Sequence, residues 1–376
     1  MKIPALLTIL ILPLSLLAAR PTNAQAAAPT FPIRAAFYYP WFPETWGPVS
    51  NRYTHYTPTL GYYNSSDAAT IDDHIARMEY AGINVGIASW WGQGSKTDQR
   101  ISLLLAEAHS RNFYWTLYYE PALSSTQVAL DLTYIATHYG SDPNFLHVNG
   151  KPVLFIYTRA VNSCTDVATW ETANAGQFYL DPQVFAGYRL CSVQPASWHQ
   201  YAPTSAEDKQ TGYSFSISPG FWLATDAAPR LVRDPSRWRL NVQDMVASGA
   251  PWQLVTTFNE WGEGTAVEDA VQWQSPSQYG VYLDELSSNG HGLRVAAQSS
   301  APPLPVRTCI GLCHAVLKSN GLDGRFHVGA PGDSKRVDAS SLEGAAKVML
   351  VAFAIQSDGG KGGSSCPRWT YRARFT

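Results

Sequence analysis

The chain has 376 residues, of which 45% are hydrophobic and 15% charged, and its formal net charge is −2. These values describe a globular protein and exclude a disordered or fibrous chain; they also provide no basic surface for nucleic acid. The length accommodates one domain of about 250 residues plus extensions. Aromatic residues reach 12%, with 13 Trp and 20 Tyr, which indicates a cleft lined with rings in addition to an aromatic core.

Residues 1–26 have the pattern of an export signal. Lys2 precedes an apolar stretch from Ile3 to Ala19, and small residues follow to Ala26. The pattern predicts a secreted or extracytoplasmic protein. A retained N-terminal anchor is the alternative, although the apolar stretch is short and interrupted by proline, so we expect no stable membrane span.

The five cysteines can form disulfides in an exported chain. The candidate pairs are Cys164 with Cys191 and Cys309 with Cys313. Since the count is odd, at least one thiol stays unpaired or pairs between molecules.

After a linker at 27–34, predicted strands and helices alternate along the chain. The predicted strands are 35–39, 83–89, 114–119, 153–157, 184–188, 198–201, 213–217 and a last one from Trp252. The clearest predicted helices are a helix capped by Asp67 that runs to Ala81, and helices over 101–111 and 127–139. Eight strands alternating with helices predict an α/β fold, a closed (β/α)8 barrel over residues 35–295; an open doubly wound sheet is the alternative.

Residues 296–376 differ from the barrel region. Aromatic residues become sparse after Ser300, and a glycine-rich run occupies 359–365. We expect a separate or disordered C-terminal extension.

Rings and carboxylates follow the predicted strands directly. These residues are Tyr39, Trp90, Glu120, Tyr157 and Glu260. Because the carboxyl ends of parallel strands meet on one face of a barrel, we expect these side chains to converge there. The first strand is followed by Pro40-Trp41 and not by the glycine fingerprint of a dinucleotide-binding sheet, which favours the barrel.

The last predicted strand ends in Asn259-Glu260-Trp261-Gly262-Glu263. Two carboxylates three residues apart, beside an amide and an indole, suit a sugar substrate, because carboxylates supply acid and base and a ring can cover the C–H face of a sugar. A surface turn with two solvated glutamates is the alternative. Close placement of the acids predicts retention of anomeric configuration.

Other chemistries lack their motifs. The chain has no Gly-x-Ser-x-Gly elbow, its histidines lack metal-ligand spacing, and its cysteines lie away from the predicted strand ends. We therefore predict no metal and no cofactor.

Several segments resemble, in order, the motifs of glycoside hydrolase family 99 over about residues 35–290. They are Phe37-Tyr38-Tyr39-Pro40-Trp41, Ala81-Gly82-Ile83 through Ser89-Trp90-Trp91, Glu120-Pro121, Lys151-Pro152-Val153, Ser218-Pro219-Gly220-Phe221 and Phe258-Asn259-Glu260-Trp261-Gly262-Glu263-Gly264-Thr265. That family comprises endo-α-mannosidases and endo-mannanases on a (β/α)8 barrel. In this chain Gly262 stands where the family usually has a histidine, a departure that affects subsite walls more than the acid pair.

The resemblance implies that Glu260 and Glu263 are the catalytic carboxylates. Glu263 would be the general acid/base, and Glu260 would act as base toward the 2-hydroxyl of the sugar. The candidate substrate-binding residues are Tyr39, His55, Trp90, Trp91, Glu120, Tyr157, Asn259 and Trp261. The predicted function is a secreted, retaining, endo-acting glycosidase for α-mannosidic or related α-linked bonds in an oligosaccharide or polysaccharide. The alternatives are a non-catalytic carbohydrate-binding barrel and, third, a polysaccharide lyase or esterase.

Overall fold

The computed structural model describes residues 29–122 and 125–291, and the backbone of three short strands further along the chain. Contacts divide the chain into two units, Met1–Ala297 and Gln298–Thr376. The predicted export signal, the Cys309–Cys313 pair and the glycine-rich run lie outside the described residues. No helix in the described part is long and apolar enough to cross a membrane.

The first unit contains a mixed sheet flanked by helices. Its strands are β1 (Ile33–Tyr38), β2 (Val85–Trp90), β3 (Tyr114–Tyr119), β4 (His147–Val148), β5 (Lys151–Ile156), β6 (Tyr179–Pro182), β7 (Glu207–Gln210), β8 (Ser214–Ile217) and β9 (Trp252–Val255). Seven of these pair in parallel in the order β6-β5-β3-β2-β1-β9-β8. The short strands β4 and β7 add antiparallel to β5 and β8.

Helices connect most of the parallel strands. They are α1 (Ala68–Tyr80), α2 (Lys96–Ala108), α3 (Ser125–His138), α4 (Cys164–Asn174), α5 (Pro235–Ala247) and α6 (Val281–Ser287). Helix α1 buries Ile71, Ile75 and Met78 as their spacing predicts. Asp67 precedes α1, but its side chain accepts no backbone N–H there. Helix α2 begins earlier than predicted, because the Ser95 side chain accepts the Asp98 N–H and caps it.

Both faces of the sheet are covered by apolar side chains, since successive residues of a strand point to opposite faces. In β1, Ala36 and Tyr38 pack in the cluster beneath the helices, whereas Phe37 belongs to the cluster on the other face. Gly86 of β2 leaves room for a ring from the next strand: a Cβ there would lie 2.1 Å from the Trp115 side chain.

The sheet curls strongly. Strands β1 and β5 are separated by β3 and β2, yet the rings of Phe37 and Phe155 are 6.3 Å apart. Phe155 also lies 5.0 Å from Trp252 of β9. Rings from strands distant in the sheet order therefore meet on its concave face.

The structure corrects two predicted strands. The strand expected at 184–188 lies earlier, as β6, because Gly187 has a φ of 83° and a 3₁₀ turn follows at Tyr188–Leu190. No regular strand forms at 198–201. Instead His199 forms a single parallel bridge to Gln183, and side chains of Ser216 and Thr256 donate hydrogen bonds to the carbonyls of Gln200 and Tyr201.

Cys164 and Cys191 form a disulfide, which confirms the first candidate pair. Their Cα atoms are 5.2 Å apart and 27 residues separate them in sequence. The bond attaches the start of α4 to the loop that follows β6.

The second unit contains three short strands, β10 (Leu317–Ser319), β11 (Arg325–Val328) and β12 (Tyr371–Arg372). They pair antiparallel in the order β10-β11-β12.

A buried polar network supports the turn after β9. Glu268, 1% exposed, accepts hydrogen bonds from the Tyr63 hydroxyl at 2.7 Å and from the Trp261 indole at 3.3 Å. His74 lies between Glu268 Oε1, at 3.4 Å, and the Tyr38 hydroxyl, at 3.0 Å. The network joins the turn to β1, to α1 and to the loop between them.

Removal of the disulfide should destabilise the first unit. A chain carrying Cys164→Ser and Cys191→Ser loses the cross-link of a 27-residue loop, and the free energy of unfolding should fall by about 2–4 kcal/mol. Denaturant titration of the variant, and of the wild type with reductant, measures the loss. Equal midpoints for the oxidised wild type and the variant would contradict this expectation.

Glu268→Gln should lower the free energy of unfolding by about 2–4 kcal/mol, because it replaces the buried carboxyl that accepts from Tyr63 and Trp261 with an amide. The matched control is Glu79→Gln. Glu79 lies at the surface and pairs with Arg111, which keeps its contact with Asp72, so the control should cost less than about 1 kcal/mol. Similar losses in the two variants would show that the network contributes no more than a surface ion pair.

Candidate active site

A narrow cavity of about 200 Å³ opens where the parallel strands end. Its lining residues are Tyr39, Trp41, Trp91, Tyr118, Glu120, Tyr157, Arg159, Tyr201, Glu260 and Glu263. Six of these were candidate site residues from the sequence. The convergence of strand-end side chains on one cavity follows from the parallel arrangement of the strands.

The backbone of its own turn holds Glu260 in place. The Glu260 N–H donates to Thr257 Oγ1 at 2.8 Å, and the side chain folds back over the following residues. Its Oε1 accepts the Gly262 N–H at 3.1 Å and its Oε2 accepts the Glu263 N–H at 3.0 Å. Since an N–H can only donate, both carboxylate oxygens act as acceptors, and this arrangement favours the ionised form.

Glu263 is held by side chains instead. Its Oε2 accepts a hydrogen bond from the Tyr201 hydroxyl at 2.9 Å, and Tyr201 accepts one from the Tyr39 hydroxyl, also at 2.9 Å. Burial raises the pKa of Glu263 to about 7, against the opposing effects of the Tyr201 hydrogen bond and of Arg230. Among the described residues no group donates to the other oxygen, Oε1, which can therefore carry a proton.

The two acids titrate together. Burial, and then the charge of Glu263, raises the pKa of Glu260 well above its ordinary value, while the two backbone N–H groups oppose the shift. Two carboxyls in one narrow cavity cannot both ionise easily, so the pair keeps a proton near neutral pH. The pKa of Glu260 is raised further than that of Glu263, but the hydrogen bonds favour the shared proton on Glu263. Both oxygens of Glu260 accept a backbone N–H, whereas Glu263 accepts only the Tyr201 hydroxyl.

Glu120 follows β3 and is 6% exposed. Burial raises its pKa to about 8, and the charge of Glu263 adds to the shift. Its Oε1 has no hydrogen-bond partner among the described residues. With that raised pKa, Glu120 is a neutral carboxyl near pH 7 and can donate one hydrogen bond.

One wall of the cavity is aromatic. The rings of Tyr39 and Trp41 stack at 4.7 Å, and Trp91 lies 6.4 Å from Trp41 with 40% of its surface exposed. The Arg159 guanidinium lies 5.4 Å from the Trp91 ring. Tyr157 completes this side and is half-buried.

Three candidate substrate-binding side chains are buried away from the cavity, which corrects their expected placement. Trp90 points into the cluster beneath the helices and donates to Asp98 at 2.6 Å. Asn259 binds the backbone of Tyr39, accepting its N–H at 2.7 Å and donating to its carbonyl at 3.2 Å. Trp261 is fully buried and lies 6.0 Å from Trp273. These three residues therefore pack beneath the cavity and do not line it.

His55 also lies outside the cavity lining. Its ring stacks on Trp222 at 3.9 Å, and its Nε2 lies 3.1 Å from the Leu223 carbonyl. Trp222 donates its backbone N–H to the Glu263 carbonyl at 2.8 Å. His55 thus contacts the segment that binds the outer edge of the turn Glu260–Glu263.

Sequence reasoning missed four lining residues, Trp41, Tyr118, Arg159 and Tyr201. Trp41 lies in the proline-flanked stretch, two residues beyond the predicted strand 35–39. Tyr201 ends the predicted strand 198–201, which does not form, and it was not chosen as a candidate. Tyr118 precedes the strand-end residue Glu120 by two positions, and alternation along the strand could have identified it. In the described residues no group of three or more His, Cys, Asp or Glu is arranged to hold a metal ion.

The chain resembles known proteins in sequence and in fold. Residues 36–187 match the model of glycosyl hydrolase family 99. The chain is 23% identical over 275 residues to the glycoprotein endo-alpha-1,2-mannosidase-like protein of Mus musculus, covering 61% of this chain and 60% of that one. It is 22% identical over 339 residues to the glycoprotein endo-alpha-1,2-mannosidase of the same species, covering 70% and 72%. The chain thus spans about 60% of the length of the first of these relatives.

A solved structure has a similar fold. The GH99 endo-alpha-mannosidase from Bacteroides thetaiotaomicron superposes with a TM-score of 0.56 at 22% identity, covering 70% of this chain and 96% of that one. A second structure, described as a glycoside hydrolase-like protein, superposes with a TM-score of 0.52 at 16% identity, covering 68% and 93%. The family model over residues 36–187, the curated relatives and the shared fold all support glycosyl hydrolase family 99 for this chain.

Proposed function

We propose that this chain is a retaining, endo-acting glycoside hydrolase that cleaves α-mannosidic or related α-linked bonds, with Glu260 and Glu263 as its catalytic pair. The proposal rests on one observation: two glutamates in one cavity have different hydrogen-bond partners. Two backbone N–H groups hold Glu260 as an acceptor, whereas Glu263 has a pKa raised to about 7 and one oxygen unoccupied. One base and one acid at neutral pH are what glycoside cleavage requires.

The reaction that the family resemblance implies uses the 2-hydroxyl of the sugar as the nucleophile. Glu260 takes the proton of that hydroxyl. The sugar oxygen O2 then attacks C1, and the bond between C1 and the oxygen of the leaving sugar breaks. Glu263 gives its proton to the departing oxygen and then, as a carboxylate, removes a proton from water, which opens the 1,2-anhydro ring at C1. Glu260 returns its proton to O2. Two inversions at C1 give net retention.

Other cavity residues would bind the substrate. Glu120, neutral near pH 7, can donate to a sugar oxygen, and the Tyr157 hydroxyl can do so from the adjacent strand end. The exposed Trp91 ring and the edge of Tyr39 can cover C–H faces of the sugar. The cavity is smaller than the 300–1,000 Å³ typical of drug-sized ligands, so it would hold only a small part of a glycan chain.

We also infer that the curled sheet closes into a (β/α)8 barrel that forms the catalytic domain at 35–295. The support is the 197–201 segment, which bonds to β6 through Ser197 and His199 and receives side-chain hydrogen bonds from β8 and from the residue after β9. Secretion is supported by the Cys164–Cys191 disulfide, because such bonds persist in oxidising compartments. In this proposal residues 1–26 are the export signal, 27–34 a linker and 296–376 a separate extension.

Release of new reducing ends from α-mannans, α-glucans and N-glycans tests the proposed activity. Internal cleavage of an α-linked glycan supports it. Binding without release would point to a carbohydrate-binding module, and release with formation of an unsaturated sugar would point to a lyase.

The pH dependence of kcat/KM should change in Tyr201→Phe. Glu263 must be protonated to act as acid, so activity should fall as pH rises through its pKa, about 7 in the wild type. The Tyr201 hydrogen bond lowers that pKa, so its loss should move the falling limb to higher pH and reduce the rate by up to about tenfold. Tyr157→Phe is the control, since Tyr201 and not Tyr157 donates to Glu263. A limb that stays in place or moves to lower pH would refute the assignment.

Mutation of each acid should have a distinct signature. Glu263→Gln should lower the rate on natural glycans by about 10²–10⁴-fold but should be rescued on aryl glycosides with a good leaving group, because no proton is then needed. Glu260→Gln should remain inactive on both substrates. Rates on dinitrophenyl glycosides and on glycans measure the difference, and NMR reports the anomer formed first. The reverse rescue pattern, or an inverted first product, would overturn the roles.

A further inference from the structure

Tyr53 lies directly against the turn Glu260–Glu263. A Cβ on Gly262 would be 2.6 Å from Tyr53 Cε1 and only 3.2 Å from Glu260 Oε1. The ring therefore occupies the space that a side chain between the two acids, at Gly262, would fill. Tyr53 is nevertheless 43% exposed, so the part of the ring that does not pack on Gly262 faces solvent.

The loop after β1 is built to hold this ring. The Tyr53 N–H donates to the Trp46 carbonyl at 2.9 Å. Gly47 has a φ of 70°, and a Cβ there would be 3.0 Å from the Asn51 carbonyl oxygen and 3.7 Å from Tyr53 Cβ. Arg52 completes the loop by donating to the Gly47 carbonyl at 2.9 Å. Gly262 thus makes room for the Tyr53 ring, and Gly47 allows the turn that brings the loop to it.

The position of Tyr53 complements the cavity. The cavity holds the aromatic wall and Glu120, and at about 200 Å³ it encloses only a small part of a glycan. An enzyme that cuts inside a chain must also contact the sugars beyond the cleaved bond. Tyr53 does not line the cavity, but it adjoins the residue between Glu260 and Glu263 and has an exposed ring. A large exposed aromatic side chain next to reacting groups is a common means of binding an apolar face.

We propose that Tyr53 is the platform for the leaving-group portion of the substrate, stacking on the C–H face of the sugar on the reducing-end side of the cleaved bond. This inference rests on the proposed glycosidase activity. It assigns the cavity to the sugar whose C1 reacts, and the surface formed by Tyr53 and Gly262 to the sugar that departs.

Paired substrates test the platform. One is an α-linked oligosaccharide with two sugars on the reducing-end side, and the other is an aryl glycoside with the same non-reducing portion. In Tyr53→Ala the ratio of kcat/KM for the oligosaccharide to kcat/KM for the aryl glycoside should fall about tenfold, mainly through KM. Tyr53→Phe should keep the wild-type ratio, because the ring remains.

Tyr62→Ala is the matched control. Tyr62 is 40% exposed, lies in the same loop region and packs against Arg52; its removal should leave the substrate ratio unchanged. Tyr53→Leu replaces Tyr53→Ala if the latter does not fold, and the same fall is expected. A pH profile of each variant separates binding from an effect on Glu260, since a platform leaves the profile in place.

Three results would overturn the inference. They are an equal loss on both substrates with a shifted pH profile, no loss on either substrate, and a loss that follows extension at the non-reducing end. A wild-type protein that cleaves none of the substrates would instead refute the proposed function itself. The two failures are therefore distinguishable.

Discussion

The burial of three carboxyls in one narrow cavity is the constraint on which the site depends. Glu120, Glu260 and Glu263 line the same space, and burial is the largest cause of the raised pKa of each. An isolated buried carboxylate is costly, so the protein must supply donors where charge is kept and allow protonation where it is not. Glu260 has two N–H donors, as a carboxyl that keeps its charge requires. Glu120 has no donor to its Oε1 among the described residues, as suits a carboxyl that is protonated.

Such an arrangement needs a turn that cannot relax, because a small displacement would remove the N–H donors from Glu260. Asn259 ties the turn to the backbone of Tyr39 at the end of β1, and Trp261 ties it to the Glu268 network below. Gly262 departs from the histidine usual in the family, and the Tyr53 ring fills the space beside it. The residues between and beside the acids thus maintain the geometry, whereas the acids themselves face the cavity.

The sequence predicted the features that local rules control. Strand-end position found Tyr39, Glu120, Tyr157 and Glu260, because the ends of parallel strands converge whatever the loops do. It did not separate Trp90 from Trp91, since adjacent residues at a strand end point to opposite faces and the register was unknown. It placed the strand of β6 too late, because the left-handed conformation of Gly187 is not visible in β-propensity. Tyr201 and Arg159 became visible only through tertiary contacts.

The least regular part of the sheet is also the part that binds the Glu263 side chain. Between β6 and β8 no α-helix forms, and the one regular strand is the antiparallel β7. Residues 197–201 join the neighbouring strands through a single bridge, backbone bonds of Ser197 and His199, and side-chain hydrogen bonds. Tyr201 lies in this segment: its carbonyl accepts from Thr256, next to β9, while its hydroxyl donates to Glu263. A regular strand would have satisfied the backbone but would have fixed the direction of every side chain by alternation. Departure from regular pairing therefore lets Tyr201 both join the sheet and hold the Glu263 carboxyl.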